Sequence, residues 1–535
     1  MQELSKSKRY LLSILSGVLL FISFPFTGSL TFLVFISWIP LLIIESYISK
    51  KKYKSSKVYI HALVTFFIYN LGATWWIWNA SPGGAIFAIV LNAIIMALVF
   101  YVFHLSKKTV DPKNGIIFLP IIWIAFEFIH YHWELSYPWL TLGNSFSITP
   151  KIIQWYSITG ALGGSLWILT INILLFKLIE RIFIYKRSIQ SELKFILITS
   201  SIIIIPITFS IYSYFSYSEK KDPIEIVAIQ PNIDPYNEKF DSDLKSQLTK
   251  LFNEADKKVT KNTQIVLAPE TAISSTFYED EISQLDFYPF ILERTSKWNN
   301  TLFFTGASTT RFFDKKNSIA SRAVQGGPGF IEYYNTSILF NKNESPLYVH
   351  KSKLVLGVEK IPFSKWIPWL EELSIQNGGT SGTLGIENVP KIYKTPKFNF
   401  APSICYESIY GSFIAEQCKK GSDIIFIITN DGWWGNTPGY KQHASFASLR
   451  AIENRKSVAR SANTGISCFI NQRGDVIQAT KWWIPTALNG ILNKNKESTF
   501  YTNNGDLIGK TFAIASLILM VYLLFLKIRI AFGKN

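Results

Sequence analysis

The chain has 535 residues and is 48% hydrophobic, with 41 Phe, 25 Tyr and 16 Trp. Its mean hydropathy of +0.19 argues against a chain made only of soluble domains. A net charge of +17 would suit nucleic acid only if the basic residues shared one folded face, and they do not: most of the excess lies in five short clusters beside apolar runs.

Taken in chain order, the first half is a series of apolar runs near the roughly 20 residues that cross a bilayer core as a helix. They fall at 10–28, 30–48, 58–78, 85–105, 115–132, 155–176 and 195–216, with another at 509–526. The spacing predicts a multi-pass helical membrane bundle of about eight transmembrane helices, with seven in residues 1–217 and one at 509–526. No small-residue cleavage site follows the first run and further spans do, so it does not read as a signal peptide.

The basic clusters are Lys6, Lys8 and Arg9; Lys50 to Lys57; Lys107, Lys108 and Lys113; Lys177 to Lys194; and Lys527, Arg529 and Lys534. They alternate with the uncharged turns 26–30 and 79–84, which is the positive-inside pattern. Both termini are then cytoplasmic and residues 218–508 lie outside. Glu127 falls within the fifth run, where a carboxylate is costly. It faces a polar interior or a substrate cavity, or it lies close enough to the interface to be solvated.

Residues 222–497 have ordinary globular composition. Short β-rich runs at 224–230, 264–267, 302–305, 337–340, 398–404 and 424–429 alternate with polar helical stretches at 242–259 and 442–461, which predicts an α/β domain. Gly-rich loops are expected at 326–329 and 378–382. The aromatic stretch 363–369 is either a membrane-interface segment or a buried turn.

Three strand ends in this domain carry chemistry. Glu270 follows the second strand within Ala268-Pro269-Glu270-Thr271, Lys351 follows Tyr348-Val349-His350, and Cys405 follows Ser403-Ile404. A carboxylate, an ammonium and a thiol brought together form a nucleophilic site of base, electrostatic stabiliser and nucleophile. Singly each is weak, since a lone Cys after a strand is usually inert core. Cys405, Cys418 and Cys468 are the only cysteines, so at least one is unpaired within the chain. The six His are scattered, with no zinc-type spacing to Cys, and no metal site is expected.

In that order the three residues resemble the Glu-Lys-Cys triad of the nitrilase, or carbon–nitrogen hydrolase, superfamily. The opening Ile226-Val227-Ala228-Ile229-Gln230-Pro231-Asn232 is similar to its first strand. Asn430-Asp431-Gly432-Trp433-Trp434-Gly435, Gln442-His443, Arg450 to Arg455, Arg460 to Gly465 and Gly474 are further matches. With the apolar runs, and with Pro138-Trp139-Leu140 and Gly143-Asn144 between the fifth and sixth of them, the chain most resembles the apolipoprotein N-acyltransferase branch.

That resemblance implies stacked α-β-β-α layers over 222–497, with Cys405 as nucleophile, Glu270 as general base and Lys351 as oxyanion stabiliser. Glu359 and Glu407 align with accessory carboxylates, each as readily a structural acid as a direct participant. Trp139, Asn144, Trp433 and Trp434 are candidate lipid-binding residues, though simple packing explains a single Trp more often. The implied reaction moves an acyl group from a phospholipid through a thioester to the α-amine of a diacylglyceryl-apolipoprotein. It requires no cofactor and is carried out by a monomer in the bacterial cytoplasmic membrane. The alternative is a membrane-tethered amidase of the same superfamily that gives its thioester to water. Departures from the branch pattern are Val355-Leu356-Gly357-Val358-Glu359, which lacks a proline turn, Ala268 where Trp is common, and Gly432-Trp433-Trp434.

Overall fold

The computed structural model describes residues 3–532 apart from 240, 343 and 375–381, so the second expected Gly-rich loop lies largely outside the described residues. The chain divides by packing into two units. One comprises Met1–Trp78, Ala85–Ser216 and Asp506–Asn535; the other comprises Asn79–Gly84 and Tyr217–Gly505.

A helix forms at each apolar run of the first unit: Lys6–Ser23, Ile39–Lys50, Ser56–Thr74, Pro82–Val110, Phe118–His130, Tyr156–Ile179, Leu193–Ser216 and Leu507–Phe532. Among the described residues, five helical segments are long and apolar enough to cross a membrane: Thr31–Lys50, Pro82–Val110, Tyr156–Ile184, Gln190–Ser216 and Leu507–Arg529. The remaining three fall short for visible reasons. Lys6, Lys8 and Arg9 open the first helix, Lys57, His61 and Asn70 dilute the third, and Phe118–His130 is short.

The second run is not one continuous helix. A 3-10 turn over Thr31–Phe35 precedes an α-helix that starts at Ile39 with Pro40 in its first turn, where the missing N–H costs nothing. The break leaves backbone groups to satisfy, and Asn172 of a neighbouring helix does so. Its Oδ1 accepts from Trp38 N at 2.9 Å and its Nδ2 donates to Val34 O at 2.8 Å. In an apolar surround each such group left unpaired would cost several kcal/mol.

Buried acids inside this unit have polar partners. Glu45 lies 2.6 Å from Lys107 Nζ and 2.8 Å from His104 Nδ1. Glu127 is buried, and its Oε1 accepts from Trp123 Nε1 at 3.1 Å and Leu142 N at 2.9 Å. Of the alternatives the sequence leaves for Glu127, a polar interior fits and a solvated interface does not.

Among the described residues the second unit holds fourteen strands: β1 Pro223–Gln230, β2 Thr263–Leu267, β3 Ile273–Tyr278, β4 Leu302–Phe313, β5 Arg322–Ala323, β6 Phe330–Phe340, β7 Leu347–His350, β8 Tyr393–Lys394, β9 Asn399–Ile404, β10 Ile424–Thr429, β11 Val458–Ala462, β12 Cys468–Ile470, β13 Val476–Ala479 and β14 Thr486–Asn493. One sheet runs β14-β1-β2-β4-β6-β5, with β3 against β4 and β7 against β6; the other runs β13-β12-β11-β10-β9-β8.

Strand alternation sorts the core into two layers. Ile224, Ile226, Ala228, Ile265, Leu267 and Phe304 of the first sheet meet Phe400, Ile404, Ile424, Phe426 and Ile428 of the second. The opposite face of the first sheet, with Val227, Ile229, Val266 and Phe303, packs on Leu248, Leu251, Phe252 and Ile291 of the helices Leu244–Asp256 and Phe287–Ser296. Helices Gly411–Lys419 and Pro438–Asn454 pack on the second sheet. The layers are therefore α-β-β-α.

One expected element differs. The stretch 442–461, read as a helix, is helical only to Asn454; Arg455 turns left-handed at φ 50° and Val458–Ala462 becomes β11. The strand is hard to recognise because Arg460 and Ser461 interrupt its apolar character. Both are buried and both are bonded, Arg460 to Asp431 and Ser461 to Ile229 O.

Candidate active site

The site lies where parallel strands of both sheets end: β2 beside β4 in the first sheet, and β9, β10 and β11 in the second. After β2 the chain turns sharply, and Thr271 takes a left-handed conformation at φ 47°. Gly306 makes room for that turn, because a Cβ there would stand 2.5 Å from Thr271 N and 2.7 Å from Glu270 Cα. After β9 the turn repeats the device, with Cys405 itself at φ 51°. Non-glycine residues in this region cost about 1–3 kcal/mol each, and such strain is typical of groups held for function.

Lys351 is the hub. It follows β7, its N–H donates to Asn335 O at 2.8 Å, and its buried Nζ lies 3.1 Å from Glu270 Oε1 and 2.9 Å from Glu359 Oε1. Asn335, in the middle of β6, donates through Nδ2 to the same two oxygens, each at 2.8 Å. The other oxygen of Glu270 accepts from Asn430 N at 3.1 Å, just beyond β10. Glu359 also closes its own turn, accepting from Val355 N at 2.9 Å. Gly357 at φ 81° shapes this turn, so the loop that lacks the usual proline still delivers its carboxylate to Lys351.

Glu407 joins the lysine and cysteine turns. One oxygen accepts from Ile404 N at 2.8 Å, and the other from Ser352 N at 2.5 Å and Lys353 N at 3.3 Å. Burial pushes its carboxyl up to about 7, against the pull of those N–H groups and of the Lys351 charge. Glu359 and Glu407 thus hold the frame, each through backbone donors.

The electrostatics divide the site into an ionised carboxylate and a neutral thiol. Burial would raise the Glu270 carboxyl, but Lys351, the Asn335 amide and a second lysine, Lys239, overcome that and hold it below the usual range. Burial also opposes the Lys351 charge, and Glu270 and Glu359 overcome it, so Lys351 stays protonated. Burial and then Glu270 drive the Cys405 thiol well above its ordinary value, with Lys351 pulling the other way. Cys418 and Cys468 are unpaired and buried, pushed up to about 12 and about 11 by burial, and behave as core residues.

Two contributors carry no sequence signal that points to them. Lys239 sits in a charged loop that reads as solvated, yet it is buried, with Nζ donating to Glu270 O at 3.2 Å and to Thr271 Oγ1. Burial brings its ammonium down to about 8, partly offset by Glu270 and Cys405. Asn335 was legible only as a polar interruption, Asn335-Thr336-Ser337, in an aromatic strand.

The candidate lipid-binding residues separate. Trp433 and Trp434 are partly exposed in the turn after β10, with Trp433 edge-on to Tyr236 at 5.2 Å and Trp434 edge-on to His443 at 5.6 Å. Trp139 and Asn144 belong to the first unit. There Trp139 is buried against Trp76 at 4.9 Å, and Asn144 Nδ2 donates to Trp139 O at 3.2 Å. In the stretch 363–369, Trp366 and Trp369 are exposed, which excludes a buried aromatic turn.

Among the described residues, Cys405, Asp431 and His443 present sulfur, oxygen and nitrogen atoms within 4.8 Å of one another. Asp431 is already engaged by Thr429, His443 and Arg460, so the group reads as a hydrogen-bond chain rather than a vacant ligand set.

Two family models match the chain: Apolipoprotein N-acyltransferase N-terminal domain over residues 16–174, and Carbon-nitrogen hydrolase over residues 226–491. An apolipoprotein N-acyltransferase of Chlorobaculum tepidum is 28% identical over 511 residues, covering 94% of each chain. One of Haemophilus influenzae is 27% identical over 550 residues, covering 98% of this chain and 96% of that one. Among solved structures, Saccharomyces cerevisiae Nit3, a member of branch 10 of the nitrilase superfamily, covers 52% of this chain and 93% of its own at 15% identity and a TM-score of 0.36. The first model falls in the helical unit and the second in the α/β unit, and curated apolipoprotein N-acyltransferases align along nearly the whole length. The chain belongs to the apolipoprotein N-acyltransferase family.

Proposed function

We propose that this acyltransferase takes a fatty acyl group from a phospholipid onto Cys405 and passes it to the α-amine of an S-diacylglyceryl-cysteine at a lipoprotein N-terminus. The observation that carries this reading is the Lys351 ammonium bridging Glu270 and Glu359 beside a thiol held protonated. A neutral thiol needs a base at the moment of attack, and an ionised Glu270 is that base.

Cys405 Sγ attacks the ester carbonyl as Glu270 takes its proton. Lys351 meets the oxyanion, a contribution of about 2.7–4 kcal/mol to the barrier for one well-placed donor. The C–O bond breaks, Glu270 returns the proton to the departing lysophospholipid alcohol, and a thioester remains. The lipoprotein amine attacks next and loses a proton to Glu270. Collapse to the amide expels the Cys405 thiolate, which recovers that proton.

Both substrates are lipids of one leaflet, which accounts for a hydrolase-like module attached to membrane helices. In this reading eight helices span the bacterial cytoplasmic membrane, both termini are cytoplasmic, and the catalytic unit is on the outer side as a monomer. Positive-inside placement of the basic clusters supports it. Trp433 and Trp434 contact lipid at the site.

The test is turnover in phospholipid vesicles with a diacylglyceryl-cysteine peptide. N-acylated peptide and lysophospholipid should appear in equal amounts, and neither should appear with Cys405→Ala. Free fatty acid without acylated peptide would favour the hydrolase reading.

A further inference from the structure

The nucleophile's backbone is strained, and something must hold it. Cys405 sits at φ 51°, and its carbonyl oxygen is met by two buried side chains. His443 Nε2 lies 3.1 Å from Cys405 O, and Ser408 Oγ donates to the same oxygen at 2.7 Å. Ser408 Oγ is also 3.0 Å from His443 Nε2. Histidine, serine and carbonyl therefore form one closed group around the turn.

His443 is itself held from behind. Its Nδ1 lies 2.9 Å from Asp431 Oδ1, an oxygen that also accepts from Thr429 Oγ1 at 2.7 Å, while Asp431 Oδ2 pairs with Arg460. His443, Asp431 and Arg460 are all essentially inaccessible to solvent. Burial opposes the Asp431 charge, but Arg460 and His443 overcome it and keep the carboxylate ionised. Arg460 Nη2 also lies 3.1 Å from His443 Nδ1, so that nitrogen is fixed by Asp431 and Arg460 together while Nε2 faces Cys405 O. The carboxylate thus orients the ring so that Nε2 faces Cys405 O.

We propose that His443, oriented by Asp431, is a positioning residue for the acyl-transfer reaction. It locks the left-handed turn of Cys405 so that Sγ faces Glu270 and Lys351. Its hydrogen-bond contact with Cys405 is to the carbonyl oxygen. The inference rests on the reading of Cys405 as nucleophile, and Arg460 and Thr429 serve it only by fixing Asp431.

The test uses the full chain in phospholipid vesicles, with His443→Leu, His443→Gln and Ser408→Ala beside the wild type. Three quantities are read: thioester mass on Cys405 against time, KM for phospholipid, and thermal unfolding. Leucine fills the space without a donor, and thioester formation should slow by about tenfold to a hundredfold with KM within about twofold. Glutamine keeps an N–H at that end of the side chain and should recover most of the rate. Ser408→Ala, which removes the second donor, should slow the step by a smaller factor.

A wild-type thioester rate in His443→Leu overturns the proposal, as does an equal loss in Gln and Leu variants. If His443→Leu does not fold, His443→Gln and Ser408→Ala decide: a wild-type rate in Ser408→Ala together with a loss in His443→Gln as deep as a Cys405→Ser chain overturns it. Absence of any acyl adduct on wild-type Cys405 overturns the nucleophile reading instead, so the two failures are distinct.

Discussion

Asn335 and Lys239 show how much of the site's chemistry is set by residues that never meet the acyl group. Asn335 is one of the influences that lower the Glu270 carboxyl. In Asn335→Leu that carboxyl rises toward the value burial alone would give, so the base protonates at a higher pH. The acid limb of kcat/KM should move up by about one pH unit, measured as turnover against pH. The depressed Glu270 also stabilises the fold at neutral pH, a contribution lost as pH falls below the ordinary carboxylate range. Lys239→Met removes the donor to Glu270 O and Thr271 Oγ1. Leaving a buried carbonyl without its partner should cost about 1–3 kcal/mol, read by unfolding of the full chain in detergent. Glu270, Lys351 and Cys405 were legible as a candidate set because each ends an apolar strand in a known order, and the structure brings them together. Lys239 was not, because nothing local distinguishes a buried lysine from a solvated one.

Elements deliver these residues through turns too tight for a side chain at one point. Gly306 on β4 passes against the Glu270 turn, and Gly306→Ala places a methyl within 2.5 Å of Thr271 N. Backbone must yield, at a cost of about 1–3 kcal/mol, and a displacement of Glu270 near 1 Å lowers kcat about 100-fold. Turnover together with unfolding checks this, and a wild-type kcat would contradict it. Strands read well from sequence where apolar residues dominate, as at Ile424–Thr429, which forms with the expected bounds. They read poorly where polar residues serve the site: β6 extends back from the expected 337 to Phe330, and β11 was hidden within a helical pattern. Among the membrane-unit helices, the break before Ile39 was hidden because the hydrogen bonds that permit it come from Asn172, more than a hundred residues away.

At the scale of the whole molecule, apolar runs and basic clusters together support the proposed orientation. Single cysteines at Lys52 and Lys316, in a chain lacking the native three, should react oppositely with an impermeant maleimide on spheroplasts. Lys316 should label and Lys52 should not; the reverse would invert the topology. All of the catalytic reading converges on one bond, a thioester at Cys405. The most direct measurement is the intact mass of the Cys405 peptide after the purified chain meets phospholipid without acceptor. A gain of one fatty acyl group, removed by hydroxylamine and absent in Cys405→Ser, is the predicted result. An unmodified peptide from a preparation that still acylates lipoprotein would contradict it.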